Sequence, residues 1–180
     1  MIKLGAKELR TIISTEEDLK KIKKNPIYII LDNVLDTYNV GGIFRLADAV
    51  AAEKVILCGQ TETPPSSRIK KASINTTEWV AWEYFPSVKE AINDLRFKIH
   101  DLRIIAIEQH PKSIPYHKAD YQFPIALVVG HETTGVSKDV LEIADQIVEI
   151  PMWGVNKSLN VIVSLGVVLY KIMRYGHTSS

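Results

Sequence analysis

The chain contains a single cysteine and no long uninterrupted apolar run. One cysteine cannot form an intrachain disulfide, which excludes the disulfide-stabilised secreted domains and is typical of a reducing compartment. The apolar runs are shorter than the roughly 20 residues that cross a bilayer, and residues 1–7 lack the apolar stretch of a signal peptide. We therefore expect a soluble, cytoplasmic protein without membrane contact.

The chain also lacks an excess of charge of one sign, because it contains 22 Lys and Arg residues and 21 Asp and Glu residues. The resulting net charge of +1 does not indicate a strongly basic nucleic-acid binder. Two basic clusters still stand out. The first comprises Lys20, Lys21, Lys23 and Lys24, where solvated lysines at a helix end are the favoured interpretation. The second comprises Arg68, Lys70 and Lys71, in a stretch read as a Pro- and Ser-rich loop, where phosphate contact is favoured.

The motifs of several common sites are absent. The chain has neither the GxGxxG of dinucleotide binding nor the GxxxxGK[ST] of the P-loop. His110, His117 and Asp120 share one polar stretch, but their spacing matches no metal-ligand pattern, and no metal is expected. Cys58 lies in the apolar run 54–58, where an inert core thiol is favoured over a nucleophile.

An alternation of strand and helix patterns runs along the chain. The predicted strands are 27–31, 54–58, 79–85, 102–107, 125–129 and 146–150. The predicted helices are one that opens with a capping box at 14–17 and ends before Pro26, then 40–51, 87–100 and 158–174. Continuous apolar strands separated by helices indicate an α/β fold, with a mostly parallel sheet covered by helices on both faces.

The expected organisation is one domain over residues 1–180. This length, with 46% hydrophobic residues, suffices for one substantial core. Residues 1–25 are expected to form a short helical extension, and 109–122 a long loop of the kind that often carries function. The helix 158–174 is apolar nearly all round, so it must be buried in the domain or at a subunit contact.

Three glycine-containing or polar segments begin where a predicted strand ends. They are 33–39, the turn that starts at Gly130, and 151–154. Ligands of open parallel sheets lie outside the carboxyl ends of the strands, and glycines there let the backbone approach an adenine edge or a ribose. Each segment alone has a simpler explanation, since glycine is a common turn residue and Ser158 a favoured helix N-cap. Their common position is what indicates a site.

Three motifs in these segments resemble those of the TrmH branch of the SPOUT RNA methyltransferases. The first is Leu31-Asp32-Asn33-Val34 with Asn39, Gly41, Arg45 and Ala47, the second is Gly130, Glu132 and Gly135, and the third is Ile150-Pro151-Met152, Gly154 and Ser158-Leu159-Asn160. The resemblance covers residues 27–175. It departs at Tyr38, where the family often has His, and at His131 and Thr133, where Asn and Gly are common.

The resemblance implies a homodimeric enzyme that uses S-adenosylmethionine to methylate a ribose 2′-hydroxyl of tRNA or rRNA, with an active site built from both subunits. It also implies a deep trefoil knot, roughly over 125–175, which general topology rules would have excluded. The implied catalytic residues are Arg45, Asn39, Glu132, Ser158 and Asn160. The implied cofactor-binding residues, acting mainly through their backbone, are Leu127, Gly130, Ile150, Met152 and Leu159.

Two roles are open for Arg45. The family places this arginine at the reacting hydroxyl, a poor nucleophile that must lose its proton while aligned with the methyl carbon. A guanidinium stays protonated in nearly all proteins, so gripping the adjacent phosphate, with phosphate or water taking the proton, is the physically safer assignment. Asn39 and Asn160 could orient the ribose or Arg45, and Glu132 could hold Arg45 or polar backbone.

Two other functions also stay open. One is a non-catalytic RNA-binding module that keeps the fold, and the other is an unrelated small-molecule enzyme on an α/β sheet. The complete set of five polar residues favours an active enzyme over the first, and the order of the three motifs disfavours the second.

Overall fold

The computed structural model describes residues 15–176, and a seven-stranded sheet forms its centre. Its strands are β1 Asn25–Asp32, β2 Ala52–Cys58, β3 Trp82–Phe85, β4 Arg103–Ile107, β5 Ile114–Pro115, β6 Ile125–Gly130 and β7 Gln146–Glu149. They lie in the order β3-β2-β1-β6-β4-β7-β5, and each neighbouring pair is parallel. The predicted parallel α/β sheet is confirmed.

Helices cover both faces of this sheet. They are α1 Glu16–Lys21, α2 Thr37–Ala49, α3 Ser67–Ser73, α4 Val88–Lys98, α5 Lys138–Ile143 and α6 Val161–Gly176, with 3₁₀ turns at Thr76–Glu78 and Tyr116–Lys118. One hydrophobic core packs under α2 and α6, and a second packs under α4 and α5. Strand β1 serves both, because Ile29 and Leu31 point into the first core and Ile30 into the second. This double burial explains why the central strands are apolar without alternation.

The basic cluster Arg68, Lys70 and Lys71 lies on helix α3, so the predicted loop is wrong. The side chain of Ser66 caps this helix by accepting the backbone N–H of Ile69, whose own side chain is fully buried. Lys70 forms an ion pair with Glu78 at 3.0 Å. Seven residues with two buried side chains are too short to show a helical period, and the similarly short α5 was not predicted either.

Several helix starts differ from the predicted ones, and α2 begins at Thr37 rather than at 40. The capping box of α1 is formed by Thr15, whose hydroxyl accepts the Asp18 N–H at 3.1 Å while the Asp18 carboxylate accepts the Thr15 N–H at 3.2 Å. Ser14 and the rest of the expected N-terminal extension before Thr15 lie outside the described residues. Helix α6 begins at Val161 rather than at 158, because Asn160 and not Ser158 accepts a first-turn N–H, that of Ile162 at 2.8 Å.

The stretch 109–122 is not a structureless loop. It contains β5, which pairs with β7 and completes one edge of the sheet, and the 3₁₀ turn at Tyr116–Lys118. Two residues of strand leave no pattern that a sequence reading can detect. Between residues 15 and 176, no helix has both the length and the apolarity needed to cross a bilayer.

Cys58 should be chemically inert in the folded protein. It lies fully buried at the end of β2, and burial, together with the carboxylates of Asp32 and Glu90, raises the pKa of its thiol to about 12. At pH 8 only about one thiol in ten thousand is then ionised. We expect no native-state reaction with Ellman's reagent and reaction of one thiol per chain in urea, with the onset of labelling following unfolding measured by circular dichroism. Rapid labelling without urea would contradict this burial.

Candidate active site

A cavity of about 460 Å³ lies at the carboxyl ends of β4, β6 and β7, beside the start of α6. Sites for small molecules typically enclose about 300–1,000 Å³. Seven of the ten predicted site residues line this cavity: Gly130, Glu132, Ile150, Met152, Ser158, Leu159 and Asn160. The fold therefore brings the second and third motifs to one place, at the edge of the sheet where ligands are expected.

A hydrogen-bonded relay connects all three motifs at the rim of this cavity. The Nδ2 of Asn160 donates to the Oδ1 of Asn39 at 3.0 Å, and the Nδ2 of Asn39 donates to the carboxylate of Glu132 at 2.8 Å. The same carboxylate accepts the backbone N–H groups of Asp36 and Leu35, at 3.0 and 3.2 Å. Within this chain Glu132 thus holds the backbone of the loop after β1, which is one of the two possibilities that the sequence left open.

The environment of Glu132 keeps its carboxylate ionised. Partial burial alone would raise its pKa, but the hydrogen bonds from Asn39 and from backbone N–H groups, including those of Asp36 and Leu35, outweigh burial and lower the pKa below the usual value. A carboxylate occupied in this way acts as an acceptor that fixes the loop. It is poorly suited to removing a proton at neutral pH.

One wall of the cavity is the tight turn from Gly130 to Gly135. Its ends are closed by two hydrogen bonds, from the His131 N–H to the Gly135 carbonyl at 3.1 Å and from the Gly135 N–H to the His131 carbonyl at 2.9 Å. A Cβ atom at Gly130 would overlap the backbone of Gly135, and Gly135 has a φ of +71°. The Nδ1 of His131 accepts the Thr133 N–H at 3.0 Å, so the departure from the family pattern at 131 stabilises the turn.

Sequence reasoning missed three charged residues of the lining. Glu108 follows β4, Glu149 is the last residue of β7, and Lys157 precedes the third motif's serine. The Glu108 carboxylate accepts the N–H groups of Val136 and Gln109, each at 2.8 Å, and thereby supports the glycine turn from behind. For Glu108 the available signal was the one used for the motifs, a polar residue directly after a buried apolar strand, whereas Glu149 lies inside β7 and Lys157 follows no strand.

Three predicted site residues lie outside the lining. Asn39 reaches the site through the relay and is 4% exposed. Leu127 is fully buried in β6, between Ile29 of β1 and Ile105 of β4. Arg45 lies exposed on α2, six positions after Asn39 and so on another face of the helix, and within the part of the chain described it forms no hydrogen bond or ion pair. The roles of these residues stay predictions.

Between residues 15 and 176, no three or more His, Cys, Asp or Glu side chains are grouped so that they could hold an ion. His110 instead accepts the Lys112 N–H through its Nδ1 at 3.2 Å.

A parallel α/β sheet with a cavity at its carboxyl edge is typical of proteins that bind small ligands at this edge. Within this class, residues 26–170 match the SpoU rRNA Methylase family. The chain belongs to that family, and the resemblance to the TrmH branch that its motifs predicted is confirmed.

Individual relatives are similar over most of the chain. The tRNA (guanosine(18)-2′-O)-methyltransferase of Aquifex aeolicus is 35% identical over 162 residues, which cover 88% of this chain and 73% of that protein. The 23S rRNA (guanosine-2′-O-)-methyltransferase RlmB of Haemophilus influenzae is 33% identical over 173 residues, 94% of this chain and 68% of that one. The crystal structure of an AdoMet-bound rRNA methyltransferase from Sinorhizobium meliloti has a TM-score of 0.77 at 27% identity, over 87% of this chain and 60% of that one.

The low pKa of Glu132 should make the stability of the relay depend on pH. Because the folded pKa lies below the usual value of 4.5, the stabilisation is fully present above about pH 4.5 and is lost as the pH falls through the folded pKa. We expect Glu132→Gln to lower the free energy of unfolding by about 1 kcal/mol at pH 7, and the difference from wild type to shrink towards pH 3.

Urea unfolding from pH 7 to pH 3 measures this difference. Glu142→Gln, on the exposed surface of α5, is the matched control and should follow the wild type at each pH. A deficit in Glu132→Gln that is the same at pH 3 as at pH 7 would contradict the assignment.

Proposed function

We propose that this protein transfers a methyl group from S-adenosylmethionine to a ribose 2′-hydroxyl of tRNA or rRNA. The observation that carries the proposal is the Glu132–Asn39–Asn160 relay, which gathers one residue of each motif at the rim of a cavity of about 460 Å³. Relatives named as guanosine 2′-O-methyltransferases act on tRNA in one case and on 23S rRNA in another. The reaction is common to them, while the RNA differs. The cytoplasm is the expected location.

The cavity has the features that S-adenosylmethionine requires. Gly130 lets the backbone of Gly135 pack tightly against it in the turn that lines the cavity, and the apolar side chains of Ile150, Met152 and Leu159 line the space beside this turn. When bound, the cofactor supplies a methyl group on a positively charged sulfur. Leu127 lies in β6, the strand whose last residues, Val129 and Gly130, line the cavity. The bound cofactor of the Sinorhizobium meliloti enzyme supports the assignment.

Arg45 is the residue that we assign to the RNA. Its guanidinium stays protonated, so it grips the phosphate next to the target ribose by paired hydrogen bonds and steers the 2′-hydroxyl, while phosphate or water takes the proton. Ser158, exposed at the cavity, offers a hydroxyl to the ribose. Asn39 and Asn160 hold each other and fix the rim against which the ribose is placed.

A homodimer accounts for two observations. Arg45 lies outside the cavity lining of its own chain, and Val163 and Tyr170 on α6 are 49% and 56% exposed although their helix is largely apolar. A second copy that covers α6 buries this face and brings Arg45 to the neighbouring cavity. The retained relay disfavours the alternative of a non-catalytic RNA-binding module, which has no need of a fixed cofactor rim.

We also propose one domain over 1–180 that carries a trefoil knot roughly over 125–175. After β7, which is separated from β1 by β4 and β6, the chain must return across these strands because α6 packs against α2. The returning segment borders the cavity through Met152, Asn156 and Ser158. The returning segment and the connection 131–136 both border the cavity at the carboxyl edge. Their proximity supports a knot in which the returning segment crosses this connection.

Arg45 should be required for catalysis and not for cofactor binding. With labelled S-adenosylmethionine and total tRNA and rRNA, we expect wild type to label a 2′-O-methylnucleoside, identified by mass spectrometry. Arg45→Ala should lower the rate at least about 100-fold, and Arg45→Lys should recover little because an ammonium cannot form the paired contact. Calorimetry should give unchanged cofactor affinity for both variants. Label confined to bases, or full activity of Arg45→Ala, would refute the proposal.

Mixing two inactive variants tests whether the active site is shared between subunits. Light scattering should give twice the 20.3 kDa of one chain. Leu159→Arg, at a cavity position that is 40% exposed, should abolish cofactor binding without unfolding the chain. Co-refolding it with Arg45→Ala should restore activity, since the mixed dimer joins an intact cavity to an intact Arg45. If Arg45 served its own chain, the mixture would stay as inactive as either variant.

A further inference from the structure

The lining of the cavity is negatively charged although the chain as a whole has a net charge of +1. The charged groups of the lining are three carboxylates and one ammonium, those of Glu108, Glu132, Glu149 and Lys157. The excess of negative charge is therefore local to the cavity and does not follow from the composition of the chain. RNA phosphates are repelled by such a lining, whereas a cationic ligand is attracted.

Each carboxylate is held in place by neutral donors. Glu132 and Glu108 accept backbone N–H groups, and Glu149 accepts the hydroxyl of Ser113 at 2.9 Å. Among the ion pairs of the described residues, none includes one of these three glutamates. The Nζ of Lys157 donates to the carbonyl of Gly154 at 3.1 Å. Within the described residues of one chain, the negative charges are thus positioned but not paired with a cation.

We propose that this carboxylate-rich lining makes the cavity discriminate between cationic S-adenosylmethionine and its uncharged-sulfur product, S-adenosylhomocysteine. The inference rests on the proposed function. In the transfer, a carbon–oxygen bond forms at the 2′-oxygen, the carbon–sulfur bond breaks with its electron pair left on sulfur, and the hydroxyl proton passes to phosphate or water. The ligand in the cavity thereby loses one unit of positive charge. Attraction to three carboxylates falls at that moment, which favours release of the product over the substrate.

Glu149 is the residue at which charge can be removed with least disturbance. Its carboxylate oxygen accepts from Ser113, and a glutamine carbonyl oxygen can accept the same hydrogen bond. In Glu108 and Glu132 both carboxylate oxygens accept backbone N–H groups. An amide NH₂ there would face another donor, so substitution would disturb the glycine turn or the relay as well as the charge.

Titration calorimetry of the full chain with each ligand tests the proposal. We expect Glu149→Gln to weaken S-adenosylmethionine binding about threefold or more and to change S-adenosylhomocysteine binding less than about twofold, as expected when one screened charge is removed from the lining. Lys157→Gln should shift the preference the opposite way, towards S-adenosylmethionine. In wild type, raising salt from 50 to 300 mM should reduce the relative affinity for S-adenosylmethionine. Glu142→Gln is the matched surface control and should leave both affinities unchanged.

The outcomes separate this inference from the proposed function. The charge discrimination is refuted if Glu149→Gln weakens the binding of both ligands equally. It is also refuted if Lys157→Gln shifts the preference between the two ligands in the same direction as Glu149→Gln. In both cases the proposed function stands. If wild type binds neither ligand, the proposed function fails together with the inference. The charge discrimination is supported if the two variants shift the preference between the ligands in opposite directions and if both shifts are lost at high salt.

Discussion

The hydrogen-bonded relay of Glu132, Asn39 and Asn160 is the contact on which the shape of the site depends. It joins the loop after β1, the turn after β6 and the start of α6. Asn39 is buried, so removing either of its partners would leave a polar group unsatisfied, at a cost of about 1–3 kcal/mol. The relay therefore converts three flexible connections into one rigid rim.

The parallel sheet determines where this rim can form. Strands β1, β6, β4 and β7 are neighbours, and because they are parallel, all their carboxyl ends open onto the same edge. Buried Asp32 provides a second connection there, since its carboxylate accepts the Ser137 N–H at 2.8 Å and the Asn33 side-chain amide at 2.8 Å. Sheet topology brings the loops together, and polar contacts then fix their conformation.

The sequence predicted the central strands well because each is a continuous apolar run that both faces of the sheet bury. It failed for α3 and α5, which are too short for a helical period, and at α6, where Ser158 was expected to be the cap but Asn160, two residues later, accepts the first-turn N–H. The motifs indicated the site residues but not their partners. Glu108 and Glu149 were missed because the adjacency of β4 to β6 and β7 is a property of the tertiary fold.

The relay also has a consequence for the order of events during synthesis. Its two side-chain contacts bridge 93 and 121 residues of chain, and Asn160 is the last of the three to be made. A ribosome-bound chain that ends before the start of α6 can pair β1 with β6 but cannot close the rim. Closure of the rim is therefore a single step of folding that becomes possible only after the start of α6 has been made.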